Sequence, residues 1–273
     1  MNRRMVFFVS DQTGVTAETM GHSLLTQFDG LEFRPVTVPF VSDVAKAREV
    51  VDRINRAGDE SGIKPIIFAT LVQDEVREIV KQSRALFLDF FEAFVGPMEQ
   101  ELSSRSTHRA GRAHGIADQQ VYEARINATS FALANDDGSG RDYAHADVVL
   151  IGVSRSGKTP TCLYLALQYG VCAANYPLTE DDLESGRLPA MVAGFREKLF
   201  GLTIAPERLQ QIRHERRPDS KYASAQQVHY ELRAAEALFQ RNGISYLNTT
   251  ECSIEEIASR ILDSTGIERR VRP

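Results

Sequence analysis

The stretch that most constrains this chain is GVSRSGKT, which runs from Gly152 to Thr159. It matches the phosphate-loop pattern, in which a glycine is followed after four residues by Gly-Lys and then by Ser or Thr. An apolar, strand-like run (DVVLI) precedes it, and a helix-like run (TPTCLYLALQYG) overlaps its end. Because such a loop needs a strand on one side and a helix N-terminus on the other, this context predicts a bound phosphate chain.

Each kind of residue in the loop has a predicted task. Gly152 and Gly157 allow a tight turn and a close approach of the backbone, Lys158 neutralises the distal phosphates, and the Thr159 hydroxyl is placed to bind Mg²⁺. Arg155 either contacts a phosphate or forms a surface salt bridge. The residues expected to contact the nucleotide are Gly152, Val153, Ser154, Arg155, Ser156, Gly157, Lys158 and Thr159. The alternative is a glycine-rich turn that binds nothing.

The acidic residue that usually supports the magnesium ion is not evident in the sequence. Such a residue ordinarily ends a strand beside the loop, but no segment downstream of Thr159 reads as an apolar run that ends in Asp. Asp89 has this pattern in LFLDF, yet it lies far upstream. We therefore interpret Asp89 as a strand-end residue and leave the acidic metal ligand unassigned.

The N-terminal part alternates strand and helix signals. Strands are predicted over 4–10, 33–41, 64–70 and 85–91, with helices over 13–28, 43–56 and 73–83. This rhythm favours a parallel sheet with right-handed crossovers. The two prolines in 33–41 place that strand at an edge of the sheet, because proline cannot donate a ladder hydrogen bond.

A second alternating region contains the loop. Strands are predicted over 146–154, 171–177, 199–204 and 243–250, and helices over 209–216, 225–240 and 253–262. The last helix begins with a capping box, Ser253 and Glu256. The predicted fold is therefore α/β twice over: a Rossmann-like parallel-sheet unit over 1–100, a helical connector over 101–140, and a P-loop NTPase-like, kinase-like unit over 141–273.

The first strand also ends in a polar turn, Ser10-Asp11-Gln12-Thr13-Gly14. In an open parallel sheet, ligands collect at the carboxyl ends of the strands, so Asp11 could accept a proton or hold a metal. The spacing by itself favours a simpler interpretation, in which Asp11 or Thr13 caps the following helix.

Two segments concentrate basic residues that could bind phosphate or an acidic partner, although such groups more often form a solvated surface. The first contains Arg105, His108, Arg109, Arg112 and His114, and the second contains Arg213, His214, Arg216, Arg217 and Lys221.

Composition limits the other classes of function. The 273 residues carry a net charge of −5, which gives no argument for binding nucleic acid or an anionic membrane. No apolar run approaches the roughly 20 residues of a membrane span. The cysteines, Cys162, Cys172 and Cys252, follow no metal-binding pattern. These features favour a protein of the reducing cytoplasm.

Three stretches together resemble the family of bacterial phosphoenolpyruvate synthetase regulatory proteins, which is related to the pyruvate, phosphate dikinase regulatory proteins. They are VSDQTGVTAETMGHSLLTQF, YEARINATSFALANDDG and DVVLIGVSRSGKTPTCLYLALQYGVCAANYPL. The resemblance covers nearly the whole chain. A loop that continues as SRSGKTPT, combined with the SD-x-TG start, is far more specific than the loop alone.

This resemblance implies a bifunctional enzyme. One activity uses ADP to phosphorylate, and so inactivate, a threonine of the synthetase. The other uses inorganic phosphate to remove that phosphoryl group and releases pyrophosphate. The family's nucleotide site corresponds to Gly152–Thr159 here. We hypothesise that Lys158 serves both reactions, and the loop pattern places Thr159 to hold Mg²⁺. Asp11, in the SD-x-TG start, becomes the candidate general base.

Two other functions fit parts of the sequence. The closing strand and NTTECSIEEIASRIL are reminiscent of small-metabolite kinases that contain a phosphate loop. A nucleotide-binding module without catalytic activity would need the same loop. An oligomeric target would favour a symmetric regulator, and on that ground we expect a homodimer.

Overall fold

The computed structural model describes residues 3–107, 119–139 and 142–271. The chain forms two compact units, Met1–Ala117 and Asp118–Pro273. The predicted connector, 101–140, is divided between these units, and 108–118 and 140 lie outside the described residues.

The first unit contains a four-stranded parallel sheet in the order β2-β1-β3-β4. β2 lies at an edge, as the prolines of 33–41 predict, and Pro35 lies within it. The strands are β1 (Arg4–Ser10), β2 (Phe33–Val38), β3 (Ile66–Thr70) and β4 (Leu86–Asp89). The helices are α1 (Val15–Leu25), α2 (Val44–Ser61), α3 (Asp74–Lys81) and α4 (Phe90–Leu102).

Helix α4 is a feature that the sequence analysis did not predict. The strand predicted over 85–91 ends at Asp89, whose carboxylate accepts a hydrogen bond of 2.8 Å from the backbone N–H of Glu92. Asp89 is therefore the N-cap of α4. This position confirms Asp89 as a strand-end residue, because its capping role stops the strand and starts the helix.

The second unit contains another four-stranded parallel sheet, in the order β6-β5-β7-β8. Its strands are β5 (Val148–Gly152), β6 (Ala173–Pro177), β7 (Leu199–Thr203) and β8 (Tyr246–Asn248). Its helices are α5 (Gln119–Ala134), α6 (Lys158–Tyr169), α7 (Glu180–Ser185), α8 (Ala190–Ala193), α9 (Pro206–Arg216), α10 (Ala225–Asn242) and α11 (Ile254–Thr265). The 3₁₀ turns are Arg196–Lys198 and Lys221–Ala223.

In both sheets the two central strands are buried on both faces. Along β5, Val149 and Ile151 belong to one apolar cluster, whereas Val148 and Leu150 belong to the cluster on the opposite face. The strands of a parallel sheet covered by helices read as continuous apolar runs, because alternate residues enter two different cores. The predicted α/β fold class, with two parallel-sheet units, is confirmed.

The connections place the phosphate loop at a particular point of its sheet. β5 pairs with β6 on one side and with β7 on the other, so the strand order reverses at β5. A crevice forms beyond the carboxyl ends of the strands at such a reversal, and ligands bind there. Within the described ranges, no helix combines the length and the apolar character needed to cross a membrane.

Candidate phosphate-binding site

The predicted loop joins the carboxyl end of β5 to the N-terminus of α6. Gly152 leaves no room for a side chain, because a Cβ atom there would lie 2.4 Å from the backbone oxygen of Leu202 on β7. Gly157, the N-cap of α6, has φ +93°, in the left-handed region that glycine adopts without strain. The loop therefore packs closely on β7 and delivers its last amides to a helix N-terminus, where an anion is favoured.

Lys158 lies inside the loop that it is predicted to serve. Its ammonium group is buried and donates a hydrogen bond of 2.9 Å to the backbone oxygen of Val153. Burial lowers the pKa of Lys158 to about 8, against the opposing attraction of Asp137 and Asp136. A charge held this way is desolvated before an anion arrives, which strengthens its interaction with phosphate.

Thr159 lies in a polar cluster that the sequence analysis did not assemble. Its hydroxyl donates a hydrogen bond of 2.8 Å to the carboxylate of Asp136, in the turn after α5. The amide of Asn175, on β6, donates to the same carboxylate. The side-chain oxygen of the same amide, Oδ1 of Asn175, accepts from the backbone N–H of Asp137 at 3.0 Å. The cluster therefore joins the end of α5, the start of α6 and β6.

The donor set of this cluster suits Mg²⁺. A hydroxyl and one or two carboxylates are the hard oxygen ligands that this ion takes from a protein, with the phosphates and water completing the octahedron. Among the described residues, no group of three or more His, Cys, Asp or Glu is arranged to hold a metal by itself. Thr159 and Asp136 would thus hold the ion together with a bound phosphate chain.

The strand beside the loop ends without a carboxylate, as the sequence indicated. β7 ends at Thr203, whose hydroxyl donates a hydrogen bond of 2.7 Å to Glu236 of α10. After β8, the Thr249 hydroxyl donates to the backbone oxygen of Ser156 at 3.3 Å. The hydroxyl group of Thr249 therefore contacts the loop, that of Thr203 contacts α10, and the carboxylate bonded to Thr159 comes from Asp136, upstream of β5.

Arg155 is exposed, with no ion pair or side-chain hydrogen bond to any residue in the described parts of the chain. Among the described residues, Arg155 thus has no partner for the surface salt bridge that was the alternative to a phosphate contact. Its backbone has φ +76°, which is unusual for a residue other than glycine.

Asp11 lies in the first unit, immediately after β1. Its carboxylate accepts a hydrogen bond of 2.9 Å from the backbone N–H of Val72, and burial raises its pKa above the usual value. The N-cap of α1 is Gly14, and no side chain caps that helix. The interpretation of Asp11 or Thr13 as a helix cap is therefore wrong, because Asp11 instead ties the β1 turn to the loop after β3. Its proposed role as a base stays a prediction.

The two basic segments differ in what the structure describes. In the first, 108–114 lie outside the described residues. In the second, Arg213 is fully buried, and its guanidinium group pairs with Glu231 of α10 at 2.6 Å. Arg216 and Arg217 are exposed. The second segment therefore combines a solvated surface with one arginine of the interior.

Comparison with known proteins gives a consistent result. The family model described as kinase/pyrophosphorylase matches residues 6–262. A protein of Hahella chejuensis is 52% identical over 99% of this chain and 100% of its own length. One of Alcanivorax borkumensis is 54% identical over 99% and 100%, and one of Legionella pneumophila is 51% identical over 98% and 100%. All three carry the provisional name phosphoenolpyruvate synthase regulatory protein.

Proposed function

Since this chain belongs to the kinase/pyrophosphorylase family, we propose that it regulates phosphoenolpyruvate synthetase by reversible phosphorylation of a threonine. The kinase reaction takes its phosphoryl group from ADP. The opposing reaction takes inorganic phosphate and releases pyrophosphate. Both reactions use the loop Gly152–Thr159.

In the kinase reaction, the loop amides and Lys158 hold the α- and β-phosphates of ADP. The threonine oxygen attacks the β-phosphorus atom, the bond from that atom to the oxygen bridging the two phosphates breaks, and AMP leaves. The hydroxyl proton passes to a base, for which Asp11 is the candidate. Thr159 and Asp136 would hold Mg²⁺, which would neutralise charge on the phosphate oxygens.

In the opposing reaction, inorganic phosphate occupies the position of one ADP phosphate. An oxygen of this phosphate attacks the phosphorus of phosphothreonine, the bond between that phosphorus and the threonine oxygen breaks, and pyrophosphate forms. The threonine oxygen takes up a proton. The loop therefore holds two linked phosphates in each reaction: those of ADP in the first and those of pyrophosphate in the second. For this reason one loop can serve both reactions.

The observation that carries this proposal is the desolvated cation inside the loop. Lys158 is buried, forms no ion pair with any residue that the structure describes, and donates to a loop carbonyl that an anion could replace as its partner. Thr159 follows Lys158 in the chain, and its hydroxyl bonds to Asp136, so that these two residues are the candidate metal ligands. This combination favours phosphoryl transfer over a glycine-rich turn without a ligand.

The identity of the donor and of the acceptor tests the proposal. The chain is incubated with ADP or ATP, with and without purified synthetase, and AMP and phosphothreonine are measured. We expect AMP to form from ADP only when the synthetase is present. Transfer from ATP to a small metabolite would instead indicate a metabolite kinase. Nucleotide binding without any transfer would indicate a regulatory module that lacks catalytic activity.

A further inference from the structure

A buried arginine of helix α9, Arg213, contacts the phosphate loop. The Arg213 guanidinium group donates a hydrogen bond of 3.2 Å to the backbone oxygen of Ser154 and one of 3.1 Å to that of Tyr222. Its pairing with Glu231 at 2.6 Å compensates the buried charge. Arg213 is therefore fixed, and its charge is balanced without a ligand.

Tyr222 forms the second contact with the same residue of the loop. Its hydroxyl lies 2.9 Å from the hydroxyl of Ser154, and the Arg213 guanidinium group lies 4.2 Å from the centre of its ring. Arg213 and Tyr222 together therefore hold both the carbonyl group and the side chain of Ser154. We call this pair of residues the brace.

The brace acts on the peptide bond between Ser154 and Arg155, and Arg155 is the loop residue whose backbone is strained. A peptide is planar and trans, so its N–H points away from its carbonyl oxygen. With the Ser154 oxygen bonded to Arg213, the N–H of Arg155 is directed away from the brace. Arg155 has φ +76° and Gly157 has φ +93°, and left-handed residues that alternate with right-handed ones turn successive N–H groups toward a common anion.

We propose that Arg213, with Tyr222, is a positioning residue that sets the anion-binding conformation of the phosphate loop. It holds the carbonyl of Ser154 outward, and so keeps Arg155 in its left-handed conformation with its N–H directed at the phosphate. Glycine would adopt this conformation without help, whereas arginine adopts it only where its surroundings impose it. This inference rests on the proposed function, since it assumes that the loop binds ADP.

The test measures ADP affinity by titration calorimetry, with thermal unfolding recorded for each variant. Arg213→Lys retains a cation for Glu231 but loses the planar fork that reaches two carbonyl groups. We expect ADP affinity to fall about tenfold. Arg208→Lys is the matched control, because Arg208 is exposed on the same helix and bonds to Gln211. It is expected to leave the affinity unchanged.

A second background separates positioning from a general loss of stability. In an Arg155→Gly chain the loop no longer needs the brace, so Arg213→Lys is expected to lower ADP affinity less than about threefold. General destabilisation would instead lower the affinity equally in both backgrounds. An equal loss in both backgrounds, or no loss in either while wild type binds ADP, would overturn this inference. Wild type that binds no ADP would overturn the proposed function itself.

Tyr222→Phe provides a variant for the case in which Arg213→Lys does not fold. It keeps the ring that stacks on Arg213 and removes the hydroxyl that contacts Ser154. We expect about a threefold loss of ADP affinity, and no further loss when Ser154→Ala is added. Additive losses from these two substitutions would count against the brace.

Discussion

At the scale of single residues, the site consists of polar side chains that are buried at a cost. Lys158, Asn175 and Arg213 are all buried. Burying such groups is unfavourable unless each finds a partner. Asn175 and Arg213 each bond to a carboxylate of the protein. Lys158 bonds instead to one carbonyl oxygen, and its burial lowers its pKa. Lys158 is therefore the group whose environment improves most when an anion binds.

The pKa of Lys158, about 8, predicts how ADP binding depends on pH. Only the protonated ammonium group attracts phosphate, so affinity is expected to fall about tenfold between pH 7 and pH 9. Calorimetric titration at several pH values measures this fall. In Lys158→Met, which lacks the titrating group, the affinity should be weak and nearly independent of pH over the same interval. A flat profile for wild type would contradict the lowered pKa.

The lowered pKa of Lys158 also makes the free energy of unfolding depend on pH. The pKa of Lys158 falls from 10.5 to about 8 on folding, so between these values the unfolded chain binds more protons than the folded one. Stability therefore rises with pH across that window relative to a Lys158→Met chain, and the two chains run parallel below it. Urea unfolding of both chains from pH 7 to pH 10 measures the difference. A wild-type contribution that decreases over this range would contradict the assignment.

Asp136 is predicted to act through Mg²⁺. Asp136→Asn keeps a side chain able to accept from Thr159 but removes the charge that holds the ion. We expect the kinase rate to fall at least about tenfold, and added Mg²⁺ to restore part of it. Asp142→Asn is the control, because Asp142 is a nearby carboxylate that pairs with His145 instead. Equal effects in the two variants would remove Asp136 from the metal site.

At the scale of elements, the loop depends on the close packing of β5 against β7. A Cβ atom at Gly152 would lie 2.4 Å from the Leu202 oxygen, so Gly152→Ala must separate the two strands. We expect the free energy of unfolding to fall by about 2 kcal/mol, and ADP binding to weaken with it. Gly194→Ala is the control, because no heavy atom lies within 4 Å of its added Cβ. Equal stability of the two variants in urea titrations would contradict this packing.

The secondary-structure elements differ in how well the sequence predicted them. The loop was predictable, because GVSRSGKT and its flanking strand and helix are local signals. Helix α4 was not predicted, because the apolar run of β4 continues past Asp89 without a break in hydrophobicity. The final helix was predicted down to its cap, since Ser253 and Glu256 form the expected capping box.

The partners of the loop were harder to predict, because they are distant in sequence. Asp136 lies 23 positions before Thr159, and Arg213 lies 59 positions after Ser154. Asp136 stands in the stretch YEARINATSFALANDDG, which carries part of the resemblance, but nothing local connects it with the loop. Arg213 looked like one member of a basic surface segment. Its partner Glu231 lies 18 residues further along, where only the packing of α9 on α10 brings the two together.

At the scale of the whole molecule, the predicted tasks are divided between two units, each with its own parallel sheet and its own core. The phosphate loop belongs to the second unit and Asp11 to the first. If Asp11 is the general base, its removal should affect transfer but not nucleotide binding.

Asp11→Asn is expected to lower the kinase rate about a hundredfold or more, since an amide cannot take the proton of the threonine hydroxyl. ADP affinity should be unchanged, and so should thermal stability, because the amide oxygen can still accept from the backbone N–H of Val72. Rate assays and calorimetry on the same preparation give both values. A kinase rate close to that of wild type would exclude Asp11 as the base.

The central claim is that one loop carries a phosphoryl group in both directions, and a single labelling experiment tests it. ADP labelled in its β-phosphate is incubated with the synthetase and either wild type or Lys158→Ala, and inorganic phosphate is then added to phosphorylated synthetase with each chain. We predict that wild type moves the label to threonine and then into pyrophosphate, and that Lys158→Ala performs neither step. A Lys158→Ala chain that lost one transfer and kept the other would contradict the shared site.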